Sequence, residues 1–252
     1  MPIPHYKISY AQNYEDLILS GMLRNVERGF YVDIGANHPE LDSVTKIFYD
    51  RGWSGINVEP NDLLFTQLAL QRPRDVNINL GVASQLGTLT FRCYQSLDGL
   101  STFSAESKES VGAAWPDAKY VDKSVEVTTL AELLNEHKPV GDIHFMKIDV
   151  EGLELEVLLG NVWKKYRPWI LCIEDPHDLP DDAARLAAIG ASLESWGYLK
   201  VFFDGINSYF VALEKQWIWE DFSYARDVLL NGVRVNYIFI NYANELIAST
   251  KG

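Results

Sequence analysis

The sequence predicts an α/β fold: a doubly wound, mostly parallel sheet with helices on both faces. Three observations predict it. Short apolar runs alternate with helical patterns along most of the chain. Several of those runs end in an acid, as at Asp33, Glu59 and Asp149, which sets charge along one edge of the sheet. The closing stretch "YLKVFFDGINSYFVAL" reads as a hairpin around Asp204-Gly205, adding an antiparallel strand to a parallel set.

The elements follow in order. An amphipathic N-terminal segment, "YEDLILSGMLRNV", precedes the strand "GFYVDIG". "LDSVTKIFYDRG" reads as a helix closed by Gly52, "SGINVEP" as a strand, and "NDLLFTQLALQ" as a helix with Asn61 as its N-cap. "DVNINLGVAS" supplies the third strand and "IHFMKIDVEG" the fourth, which leads into the helix "LELEVLLGN". "RPWILCIED" is the fifth strand and "PDDAARLAAIGASLESWG" a long helix. Between the third and fourth strands lies an insertion, about residues 85–128, with β-like pieces "GTLTFRCY" and "KSVEVTTL" around the Ser-rich "SLDGLSTFSAESKES". An insertion there hangs over the carboxyl ends of the strands, where such sheets bind ligands. It reads either as a lid or as surface elaboration.

Composition narrows the function. The 252 residues suit one domain of this class, spanning 1–252, with an N-terminal helical cap to about 28 and an extension from about 213. A formal net charge of −13 argues against nucleic acid as a partner but leaves room for a small molecule in a local pocket. Cys93 and Cys172 alone make neither a disulfide framework nor a metal motif. The N-terminus lacks the pattern of a signal peptide, and no apolar run reaches the length of a membrane span, so a cytoplasmic protein is expected. A homo-oligomer is compatible with all of this.

The loop "VDIGAN" has Gly35 at the strand-to-helix turn and the small Ala36 beside it. A dinucleotide fingerprint needs three glycines, one of them to admit a pyrophosphate, so the loop is poor for NAD. Glu59 follows Asp33 by 26 positions, near the spacing at which an acid meets ribose hydroxyls. Lys147 and Asp149 interrupt an apolar run, and charges there are costly unless paired with each other or used. "CIEDPHD" brings Glu174, Asp175 and His177 to the same edge. Carboxylates and a histidine converging there suit either a general base or a hard divalent cation with oxygen ligands, such as Mg2+ or Mn2+.

The order and spacing of "SYAQNYEDLIL", "GFYVDIGANHPELDSVTKIFYDRGWSGINVEPN", "INLGVAS", "LSTFS", "MKIDVEGLELEVLLG" and "FDGINSYFV" resemble the FkbM-type S-adenosylmethionine-dependent methyltransferases. The resemblance runs from Ser9 to Val211 and implies a class I methyltransferase fold with seven strands, the last antiparallel. It implies S-adenosyl-L-methionine as cofactor, with Asp33, Gly35 and Asn37 by its methionine part. Glu59 would take the ribose hydroxyls, with Pro60 and Asn61 beside the adenine and Gly81, Val82 and Ser84 at the adenine edge. Gln12 and Asp16 would help close the site. The implied reaction is methyl transfer to a hydroxyl of a sugar, glycan or glycosylated natural product. Asp149 is then the first candidate for base, metal ligand and neighbour of the cofactor, with His177 and Lys147 as further catalytic candidates. Glu174 and Asp175 would join Asp149 around a metal ion. Two other classes stand beside this reading. One is an NAD-dependent sugar oxidoreductase. The other is a non-catalytic carbohydrate-binding module using Trp217, Trp219, Phe222 and Tyr224.

Overall fold

The structure is a computed structural model that describes residues 7–95, 98–137, 141–175, 182–219 and 232–234. Its centre is a sheet of seven strands. Four are parallel and buried: β2 (Phe30–Ile34), β3 (Ser54–Val58), β8 (Phe145–Ile148) and β9 (Ile170–Glu174). β4 (Val76–Ile78) extends them on one side, and the hairpin of β10 (Tyr198–Phe203) and β11 (Asn207–Ala212) on the other. The order is β10-β11-β9-β8-β2-β3-β4, with β11 antiparallel to both neighbours. The seven strands, with the last in the chain antiparallel, are thus present.

The two-residue period of the strands explains the two cores. Val32, Ile34, Ile56, Val58, Met146, Ile148, Leu171 and Ile173 face one side. They pack there on α5 (Leu130–His137), α6 (Glu154–Leu159) and α7 (Asp182–Ser195). Tyr31, Phe145, Ile170 and Cys172 face the other, against α1 (Glu15–Met22), α2 (Lys46–Asp50) and Trp53. Asp33 and Lys147 alternate with those residues and are paired in register across β2 and β8. The polar row therefore belongs to the α1/α2 face, just where the strands end.

Three expectations need correction. The helix from Leu41 is shorter, because Asp42 has a left-handed backbone, bridges to Ala11, and the helix begins only at Lys46. The third strand is two strands. After β4 the chain leaves the main sheet, and β5 (Gly81–Ala83) pairs with β7 (Tyr120–Thr129), which pairs in turn with β6 (Gly87–Tyr94). The insertion thus builds a second sheet. Its Ser-rich part also contains a helix, α4 (Ala105–Ala114), whose N-cap Ser104 accepts from the Ser107 N–H. α3 (Asp62–Gln71) begins as expected at Asn61, whose side chain accepts from the Leu63 N–H. Outside the main units, β1 (Lys7–Ser9) pairs in parallel with β12 (Gly232–Arg234).

Candidate active site

A cavity of about 490 Å³ lies at the carboxyl edge of the parallel strands, within the range of small-molecule sites. β2 contributes Asp33 and the turn Gly35–Asn37, β3 contributes Val58, Glu59 and Pro60, and β5 contributes Gly81 and Val82. From β8 and β9 come Lys147, Asp149, Glu151, Glu174 and Asp175. The insertion covers the opposite side with Phe91, Leu100, Phe103, Val111 and the half-exposed Trp115. One wall is therefore acidic and the other apolar. Lys147 is the only lysine or arginine among the described lining residues.

The Gly35 turn is shaped by a contact within the protein. Gly35 has φ +82°, and a Cβ there would meet the Asp149 carbonyl oxygen at 1.8 Å. Asp149 N–H donates to the Ile34 carbonyl at 3.0 Å, so the ends of β2 and β8 are held against each other. A side chain at Gly35 is excluded by this contact.

Glu59 is 5% exposed, and both carboxylate oxygens are fixed. Oε2 accepts from the Asn37 N–H at 2.8 Å and Oε1 from the Asn61 N–H at 2.8 Å. Burial pushes its pKa up to about 7 against these bonds. Each oxygen keeps a lone pair for a further donor. Asp33 accepts from the Thr45 hydroxyl at 3.0 Å through Oδ2, while Oδ1 is buried with no hydrogen-bond partner. Burial raises Asp33 to about 6, partly offset by Lys147.

Lys147 donates to Asp149 Oδ2 at 2.6 Å, so the pairing open in the sequence is formed. Burial disfavours the ammonium, but the Asp149 and Asp33 carboxylates outweigh it and raise its pKa. Burial likewise opposes the Asp149 charge, yet Lys147 and a hydrogen bond with Glu174 hold its pKa down. Glu174 is pushed well above the usual carboxylate range by burial and by the Asp149 and Glu151 charges. Burial and neighbouring charge thus favour the neutral form of Glu174, while Lys147 favours the charged form of Asp149.

Glu151 was not foreseen. Burial, then Asp149 and Glu154, push it up to about 9, and its backbone is left-handed, φ 54°. The Thr102 and Ser107 hydroxyls both donate to its carbonyl at 2.7 Å, which docks the insertion on the end of β8. The available signal was the second acid of "DVEG", two positions after Asp149 and before a glycine.

Several expected site residues are placed differently. Asn61 caps α3 and does not line the cavity, its Nδ2 reaching Cys93 Sγ at 3.1 Å. Ser84 does not line it either, since its hydroxyl donates to Glu156 of α6. Asp16 is wholly buried and accepts from Ser9, Tyr10 and Leu17, so it braces the start of α1, whereas Gln12 lines the cavity. Asp175 lines the cavity but accepts from the Ser208 hydroxyl, with Lys200 at 3.5 Å. Among the described residues, the carboxylates with oxygens within 4.8 Å of one another are Asp149, Glu151 and Glu174, without Asp175. Trp217 and Trp219 lie outside the cavity, where Trp217 packs edge-on against Trp169 at 6.0 Å. His177, Phe222 and Tyr224 lie outside the described residues.

Two known proteins are similar to parts of this chain. Methyltransferase sdnD from Sordaria araneosa is 33% identical over 122 residues, 41% of this chain and 44% of that protein. This chain thus spans less than half the length of that relative. A methyltransferase FkbM of known structure, from Methylobacillus flagellatus KT, is 17% identical with a TM-score of 0.48, over 80% of this chain and 48% of that one. No helix among the described residues is long and apolar enough to cross a membrane. The profile of the methyltransferase FkbM domain matches residues 33–200, about two-thirds of the sequence, and the chain belongs to that family.

Proposed function

We propose that the protein transfers a methyl group from S-adenosylmethionine to a hydroxyl of a sugar, glycan or glycosylated natural product. The observation that carries this reading is Glu59. Its carboxylate stands at the carboxyl end of β3, beside the cavity, with both oxygens anchored by backbone N–H groups. That is the arrangement for accepting two hydroxyl donors of a ribose. The unpartnered Oδ1 of Asp33 suits the ammonium of the methionine part. A pyrophosphate is poorly served, because the one glycine of the loop is occupied by the Asp149 carbonyl. This weighs against the NAD-dependent oxidoreductase. The aromatic residues of the carbohydrate-module reading that are described stand apart from the cavity.

Bound S-adenosylmethionine supplies a methyl carbon on a sulfonium, already a strong leaving group. What remains for the chain is to align an oxygen behind that carbon and to take its proton. The Asp149–Glu174 pair is the proton acceptor, held in place by Lys147. With Lys147 already engaged by Asp149, the described cavity offers no spare lysine or arginine for an anionic acceptor, which favours an uncharged hydroxyl compound. A second reading places a magnesium or manganese ion on Asp149, Glu151 and Glu174, whose oxygens are close enough to share one.

The test is a panel of hydroxyl acceptors with labelled methyl donor. Asp149→Asn is expected to lose at least about 100-fold in turnover while still binding S-adenosylhomocysteine. Full turnover in that variant removes the proton acceptor from the account. Loss of transfer in chelator, restored by magnesium, supports the ion; full transfer in chelator leaves the carboxyl pair acting alone.

A further inference from the structure

Glu15 is a buried carboxylate that the chemistry above does not use. It is 2% exposed, in the first turn of α1. Oε2 accepts from the Asn13 N–H at 2.6 Å, and Oε1 accepts from the Asn207 side-chain amide at 2.9 Å, a partner 192 positions away. Asn207 is itself 1% exposed. Beside it, the Asn13 side-chain amide donates to the Asp204 carbonyl at 2.9 Å. Asp204 Oδ1 accepts from the Ile206 and Asn207 N–H groups at 2.9 and 2.7 Å, and Oδ2 accepts from the Tyr209 hydroxyl at 2.7 Å. The Ile206 carbonyl accepts from Asp175 N–H at 2.8 Å.

Both segments joined in this way reach the site. Gln12, Ile206 and Asp175 line the cavity, and they come from opposite ends of the domain. We propose that Glu15 is a positioning residue that clamps the Gln12–Asn13 segment to the Asp204–Asn207 turn, so that the two move as one wall of the cavity. A buried carboxylate is a costly way to fill space, and well-packed apolar residues often serve stability as well. What it adds is geometry. Two acceptor oxygens fix a backbone N–H of one segment and a side-chain amide of the other at once. Loosening that bond set would let either segment open without the other, and a ligand would be held by only half of the wall.

The effect on ligand rests on the cavity being a site for S-adenosylmethionine; the clamp itself does not. Glu15→Gln in the full chain is the variant, because one of its two acceptors becomes an N–H2 facing a donor. Hydrogen exchange of Gln12–Asn13 and of Ile206–Asn207 should accelerate together, by about tenfold or more. Amides of α3, remote from Glu15, should be unchanged. The affinity for S-adenosylhomocysteine should fall by about tenfold, a change that a purely structural role would not produce in the folded variant. Asn207→Ala, which removes the other side of the contact, should loosen the same two segments if Glu15→Gln fails to fold. The clamp is contradicted if Asn207→Ala frees the hairpin turn alone, or if Glu15→Gln leaves both exchange and affinity unchanged. If the unaltered protein binds no S-adenosylhomocysteine, the methyl-donor reading fails while the exchange data still decide on the clamp.

Discussion

The Asp149 carbonyl oxygen occupies the space that a side chain at Gly35 would need, 1.8 Å from the position of its Cβ. This contact ties the loop after β2 to the end of β8, and so joins the part of the cavity lined by Gly35 and Asn37 to the part lined by Asp149 and Glu174. Gly35→Ala combines a positive φ with a backbone collision. It should cost about 2–4 kcal/mol of stability, read from denaturant unfolding. A variant of full stability that had lost only ligand binding would show that the glycine serves the ligand.

The hold on the insertion is equally specific. Thr102 and Ser107 both donate to the Glu151 carbonyl, and a Cβ on Gly152 would meet the Ser107 hydroxyl at 2.6 Å. The double variant Thr102→Val, Ser107→Ala leaves that carbonyl short of both donors, at about 1 kcal/mol for each bond. Hydrogen exchange in α4 should quicken, whereas S-adenosylhomocysteine should slow it in the unaltered protein. Equal exchange with and without ligand would make the insertion surface elaboration rather than a lid.

Stability should depend on pH in an unusual direction. Burial raises Glu15 and Glu59 to about 7 and Glu151 to about 9 from an ordinary 4.5, and Asp33 to about 6 from 3.8. Between those limits the folded chain holds protons that the unfolded chain has released. Stability from these groups is complete below their unfolded values and is lost as pH rises through the folded ones. The ligand-free protein should therefore melt at a higher temperature at pH 5.5 than at pH 8.5, by several degrees. A melting temperature that rises over the same interval would contradict the burial of these acids.

Much of the fold was legible because acids and glycines interrupt apolar runs at the strand ends. Asp33, Glu59, Lys147, Asp149 and Glu174 are all at the cavity for that reason. Side chains that end helices or brace turns look the same in sequence as side chains that bind ligands. Asn61 caps α3 and Ser84 bonds Glu156, a distinction only the path of the backbone makes. The left-handed backbone that places Glu151 has no signature in its own residue type. The apolar wall of Phe91, Phe103 and Trp115 depends on a second sheet, whose strands pair across the insertion and not with the main sheet.

Calorimetric titration of S-adenosylmethionine into the unaltered protein and into Glu59→Gln tests the central assignment most directly. The substitution keeps the shape of the side chain but sets an N–H2 against one of the two backbone N–H groups, so melting is used to establish that the variant titrated is folded. Losing a carboxylate that accepts hydroxyl donors should weaken binding by roughly ten- to a hundredfold, with NAD giving no heat on either protein. Equal affinity in the folded variant, or NAD binding in place of S-adenosylmethionine, would contradict the account.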